Sequence, residues 1–337
     1  MEVPRTWSKI DSGFCGVRKN RSMPAKGGLK VGFVSKFVAL VFFWGLTAGT
    51  ALAQQKIAIG GTPNSGPATA MVAETEGIFQ KHGLETTYTL ITINPSIPPA
   101  LLAGSLQIGI PTPTTFLQAV DGGLDLVVIA GVADNSKDNP LQIVVRKDSP
   151  IKQPKDLAGK KFGVPGLNAV LHVMTRHWLA QQGVDPKSVN FVEAVFPVHG
   201  DMLRSGQIDA VITVDPFATT ILSRGDGVLL ADIMSSFPSG NPNQMYVTTR
   251  DYATKNTAVV TAFRAAIEDA AAFIAANPDK TRQDVGKILK LPPPAIANLI
   301  LPTVDTKVTK EQLTFWIDVM QKQNMLSHPI DPAKLLF

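Results

Sequence analysis

Short polar residues stand at four places in this 337-residue chain where an apolar run gives way to a helical one. Asn64 and Ser65 lie in the turn GTPNSGP, Thr112, Thr114 and Thr115 follow LQIGIP, Asn168 and Ala169 open a third helical stretch, and Asp215 precedes Pro216. The start of a helix leaves backbone N–H groups unpaired, and short side chains there let a small polar ligand come close to them. Each of these residues can equally act as an N-cap, contributing about 1 kcal/mol with no ligand at all. What favours function is convergence: in an open parallel sheet such helix starts gather at one edge, outside the strand ends.

Other chemistry is excluded by spacing. Gly61 and Gly66 have the separation of a phosphate loop, but Pro67 and Ala68 stand where its Lys and Ser/Thr belong. No G-x-G-x-x-G follows the strand, and there is no G-x-S-x-G elbow. The five histidines include no H-E-x-x-H pair, and His172 and His177, five apart on one helix, face different ways. No metal or other cofactor is therefore expected. The one enzymatic alternative is Asp215 with His199 as an acid/base pair, which needs the two within about 3 Å of their target.

The elements that must position these residues read as two similar units. LRSGQIDAVI (203–212) matches LLAGSLQIGI (101–110) with Gly206 on Gly104, and HWLAQQGVD (177–185) stands against GIFQKHGLE (77–85) with Gly183 on Gly83. In each, a helix ends at a glycine free to take positive φ, and a buried strand follows. Strands are expected at 56–60, 86–93, 106–110, 126–130, 141–145, 161–164, 189–192, 208–214 and 228–231, with helices between most of them. This alternation favours an α/β fold with mainly parallel sheets covered on both faces. Residues 131–140 read as a polar loop and 234–244 as a linker. After the linker, 245–249 can return to the first sheet, and the apolar spacings of 259–274 and 313–320 predict core-facing C-terminal helices.

The overall charge of +5 misleads. Residues 1–53 hold eight Lys or Arg and two Asp or Glu, leaving 24 basic and 25 acidic residues in 54–337. The basic balance that would suggest nucleic acid thus belongs to the leader. Lys26, Lys30 and Lys36 precede an apolar run at 37–46, and Ala51-Leu52-Ala53 offers a cleavage site before Gln54. This is expected to be a secretory signal peptide, too short in its apolar core to span a membrane, with residues 1–22 as an upstream extension and Met23 as the alternative start. Cys15 is the only cysteine, so the exported chain has no disulfide and no thiolate chemistry.

The segments ETEGIFQKHGLE, ALLAGSLQIG, DLAGKKFGVPG, HWLAQQGVD and LRSGQIDAVITVDPF resemble the periplasmic solute-binding proteins of the aliphatic sulfonate, nitrate and taurine type, a family that includes binders of the thiamine pyrimidine precursor. The resemblance covers about 56–231. It implies a two-lobe clamshell of type II, with 54–140 and 245–337 in the first lobe, 141–244 in the second, and hinge strands near 141–145 and 245–248. It also implies a periplasmic monomer that binds a small-molecule solute in the cleft and docks on an ABC permease in the inner membrane. The ligand-facing places of the family fall here at Asn64 and Ser65, at Thr112, Thr114 and Thr115, at Gly166, Asn168 and Ala169, at His199 and at Asp215. The second-lobe turn lacks the serine common in sulfonate binders, and none of these places holds Arg or Lys. Neutral, nitrogen-containing and aromatic solutes stay open beside sulfonates.

Overall fold

The computed structural model describes residues 55–337; the leader expected at 1–53 lies outside them. Ten strands form two five-stranded sheets. In chain order they are β1 (Gln55–Gly61), β2 (Leu84–Leu90), β3 (Ile108–Gly109), β4 (Leu126–Asp134), β5 (Gln142–Arg146), β6 (Lys161–Val164), β7 (Asn190–Glu193), β8 (Ala210–Thr213), β9 (Gly227–Asp232) and β10 (Pro242–Thr249). The first sheet runs β2-β1-β3-β10-β4 and the second β7-β6-β8-β5-β9. In each sheet four strands point one way and the fourth in order, β10 or β5, runs against its neighbours. That antiparallel strand is the one arriving from the other half of the chain.

The internal likeness read in the sequence is structural to the level of single hydrogen bonds. Gly104 (φ 71°) and Gly206 (φ 72°) both occupy the left-handed region, each donating its N–H three residues back, to Leu101 and Leu203, at 3.1 Å. One strand on, Ala58 N donates to Gln107 Oε1 at 2.8 Å in the first half, and Lys161 N to Asp209 Oδ2 at 3.0 Å in the second. Gly83 and Gly183 likewise share φ of 75° and 72°.

Burial follows the strand period. Along β4, Val127 and Ile129 pack on one face with β1 residues Ile57 and Ile59, while Leu126 and Val128 join the core on the other. Helix Thr257–Ala276 covers the first of these faces with the buried stripe Val260, Phe263, Ile267 and Ala270. Phe263 stacks on Phe79 at 5.6 Å and meets Tyr246 edge-on at 5.0 Å. Helix Lys310–Lys322 starts at a capping box between Thr309 and Gln312. It lies at the junction of the halves: Trp316 Nε1 donates to Pro242 O at 2.8 Å, and Gln323 Nε2 to Val173 O at 3.2 Å.

Two expectations shift. Residues 131–134 continue β4 rather than forming a loop. A Cβ on Gly131 would overlap the backbone oxygen of Asp305; the glycine marks a close approach, with Gly131 N donating to Thr306 O at 2.8 Å and Asp134 N to Thr303 O at 2.9 Å. The chain crossings also fall outside the strands named as hinges, since 142–146 and 242–249 are laddered within sheets. The crossings are 135–141 and 233–241, and they brace each other. Asn135 N donates to Asn241 O at 2.7 Å and Gly240 N to Asn135 O at 3.0 Å; at the other end Ile233 N donates to Leu141 O at 2.9 Å.

Candidate functional site

A cavity of about 110 Å³ lies between the two sheets, and both halves and both crossings line it. From the first half come Thr62, Asn64, Ser65 and Gly66 after β1, Asn94, and Thr112 after β3. The second half supplies Pro165, Ala169, Val170, Leu171, Met174, Phe196, Val214 and Asp215. Asn135, Asn139, Pro140 and Leu141 of one crossing, Met234 of the other, and Asn243 and Gln244 at the start of β10 complete the wall with Ile300 and Pro302. All of the strand ends and helix starts involved lie on one side of their sheets, as the topology requires.

Of the ten positions singled out from sequence, Asn64, Ser65, Thr112, Ala169 and Asp215 line this cavity. Asn64 shapes the first turn: its Oδ1 accepts Gly66 N at 2.8 Å, and its Nδ2 donates to Thr62 Oγ1 at 3.0 Å. A Cβ on Gly66 would overlap Gln244 Oε1, so glycine there lets the glutamine amide reach the floor. Thr112 is the N-cap of helix Pro113–Asp121. Thr114 and Thr115 stand behind it, their hydroxyls 3.3 and 3.1 Å from Thr112 Oγ1 and both residues buried. These two buttress the wall without forming its surface.

In the second half Gly166 and Asn168 are outside the lining, although their neighbour Ala169 is in it. Asn168 takes φ of 64°, a conformation asparagine tolerates, and its N–H donates to His172 Nδ1 at 2.8 Å. Gly166 packs against Pro95 of the first half, whose Cδ would stand 3.1 Å from an added Cβ. The halves therefore touch here, over the cavity.

His199 is wholly buried and also outside the lining. Its ring is committed on both sides: Nε2 lies 2.6 Å from Ala194 O, which can only accept, and Nδ1 3.0 Å from Thr213 Oγ1. Burial pushes its pKa down to about 4 against the opposing carbonyl bond, so the ring is neutral at physiological pH. A neutral imidazole spent on two structural bonds leaves no nitrogen to exchange a proton with a substrate. Asp215, 8% exposed, accepts from Thr219 N at 3.1 Å and Thr219 Oγ1 at 2.5 Å.

Sequence reasoning picked out one of the lining amides, Asn64, and missed the other five. Among the described residues six side-chain amides line the cavity, those of Asn64, Asn94, Asn135, Asn139, Asn243 and Gln244, against a single charged side chain, Asp215. Asn94 accepts Thr112 N at 2.8 Å and donates to Ile110 O at 3.3 Å. Asn135 and Gln244 sit in segments that look like linker, and only the crossings bring them to the cleft. The hydroxyl residues Thr62, Ser65 and Thr112 add to the polar side, and the rest of the lining is apolar, with Phe196 stacked on Phe217 at 5.3 Å.

Two sheet-centred halves joined by paired crossings, with a polar-floored cavity between them, define the periplasmic-binding-protein class of fold. Solved structures with this fold include the alkanesulfonate-binding protein SsuA from Xanthomonas axonopodis pv. citri bound to MOPS, at a TM-score of 0.73 and 18% identity, covering 85% of this chain and 98% of that one. The periplasmic nitrate-binding protein NrtA from Synechocystis PCC 6803 matches with a TM-score of 0.72 and 14% identity, covering 83% and 84%. Residues 64–281 match the family model described as NMT1/THI5 like, and the chain belongs to that family. The taurine-binding periplasmic protein of Escherichia coli (strain K12) is 28% identical over 232 residues, 66% of this chain and 69% of its own length.

Proposed function

We propose that this chain is the periplasmic solute-binding component of an ABC importer, holding a small polar organic solute between its halves and delivering it to a membrane permease. The observation that carries the reading is the cavity itself, walled by both sheets and both crossings. A ligand there touches both halves only when they are together, so it favours that arrangement by its extra contacts. The relative from E. coli, whose name states taurine binding and the periplasm, supports the same role. Among the described residues no helix is long and apolar enough to cross a membrane. We read the protein as a non-enzymatic monomer, and Asn64, Ser65, Thr112, Ala169 and Asp215 as ligand contacts, with Thr114, Thr115, Gly166, Asn168 and His199 shaping the elements that carry them.

A thermal-shift panel of sulfonates, taurine, nitrate, thiamine precursors, carboxamides and aromatic carboxylates tests this. A solute at a thousand times its dissociation constant adds about 4 kcal/mol, which raises the midpoint by several degrees at this chain length. The reading expects such a shift with one chemical class and no consumption of the compound. Turnover of the compound would overturn it.

A further inference from the structure

Resting on that binding role, we propose that the solute is uncharged and presents a hydrogen-bond donor beside an acceptor on a small apolar body, the pattern of a carboxamide or lactam, and is not a sulfonate, nitrate or carboxylate anion. Asn135 is 1% exposed and lines the cavity, yet neither its Oδ1 nor its Nδ2 has a partner among the described residues. Its backbone is held by Asn241 and Gly240, so the residue is fixed while its amide is left to pair with something else. Buried polar groups are ordinarily paired, and the complement of a free amide is another donor–acceptor pair.

Gln244 adds direction. Its Nε2 donates to Thr62 Oγ1 at 3.3 Å, which orients the amide, and its Oε1 is buried without a partner. Thr62 Oγ1 accepts from both Asn64 and Gln244, leaving its own proton to donate. The floor thus offers an acceptor next to a donor, matching a ligand with a donor next to an acceptor.

An anion would meet this floor badly. Among the described residues the only charged side chain in the lining is the carboxylate of Asp215, and an anion stripped of water beside it meets no counter-charge there. Backbone N–H groups at helix starts can cradle anions without one, but those of Gly66 and Thr112 in the lining, and of Thr219 behind Asp215, are spent inside the protein. Gly66 N goes to Asn64, Thr112 N to Asn94, and Thr219 N to Asp215 itself. Phe196, Met174, Leu171 and Met234 supply the apolar wall.

Titration calorimetry with isosteric pairs decides it: benzamide against benzoate, nicotinamide against nicotinate, and 2-pyrrolidinone, with methanesulfonate, taurine and nitrate alongside. The inference expects the neutral member to bind at least about tenfold tighter than its anion. Asn135→Leu, similar in shape but without the amide, should remove that preference while its thermal midpoint stays at or above the parent's. If Asn135→Leu does not fold, Gln244→Met reads the same loss. An anion binding as tightly as its neutral partner, or tighter, overturns this inference and leaves the binding role standing. Silence from every compound counts against both.

Discussion

Asp215 Oδ1 accepts two hydrogen bonds from one residue, Thr219, at 3.1 Å from its N and 2.5 Å from its Oγ1. The pair holds the carboxylate at the head of helix Phe217–Arg224 and against the cavity. Asp215→Ala should weaken solute binding about tenfold or more by calorimetry, since a buried acceptor facing a ligand N–H is lost. Thr219→Val removes only the 2.5 Å bond and should weaken binding less. Equal affinity in Asp215→Ala would take this residue out of the contact.

The approach of Gly166 to Pro95 joins the halves where a side chain would intrude. Gly166→Val should therefore disfavour the closed arrangement, lowering affinity several-fold while the ligand-free midpoint stays within about 1 °C, because the tight approach is to Pro95 of the other half, and within its own half an added Cβ meets only Ala169 Cβ, at an ordinary 3.4 Å. A matching loss of ligand-free stability would place the cost in the fold and not in closure.

His172 and His199 are both held near a pKa of about 4 by burial, His172 with added repulsion from Arg176. Both are below the unfolded value near 6.5, so the unfolded chain binds more protons between pH 6.5 and 4. Their contribution is full above pH 6.5 and is lost as pH falls towards 4. His172→Phe, which keeps the edge contact with Phe191, should shrink the stability difference between pH 7.5 and 5 by about 2 kcal/mol, measured by chemical denaturation.

Asp134 works in the opposite sense. Burial and the neighbouring Asp305 carboxylate raise its pKa to about 7, so its contribution is full below about pH 4 and is lost as pH rises through 7. Asp134→Asn should flatten the stability loss between pH 6 and 8.5, leaving the variant more stable than the parent at pH 8.5 by about 1–3 kcal/mol. An unchanged slope would mean that the two carboxylates do not share this environment.

Much of the fold was legible because its signals are local. Gly104 and Gly206 could be aligned from sequence, and both prove to end helices at the same φ with the same hydrogen bonds. Alanine at either should cost about 1–2 kcal/mol through backbone strain alone. Gly131 was misleading because a glycine that breaks a strand and one that admits a neighbouring backbone look alike in a single sequence. The site was half legible. Asn64, Ser65, Thr112, Ala169 and Asp215 announce themselves at strand–helix turns, whereas Asn135, Gln244, Ile300 and Pro302 reach the cavity only through the crossings and the pairing of 303–306 with β4. His199 illustrates the reverse case, a residue type suited to chemistry that the fold uses to tie Thr213 to Ala194.

The most direct test is a crystal structure of the protein grown with the solute that raises its thermal midpoint. The account predicts one molecule in the cavity between the sheets, in contact with Asn135, Gln244 and Asp215 and with Phe196 against its apolar body. Solute bound elsewhere, with the amides of Asn135 and Gln244 untouched, would contradict it.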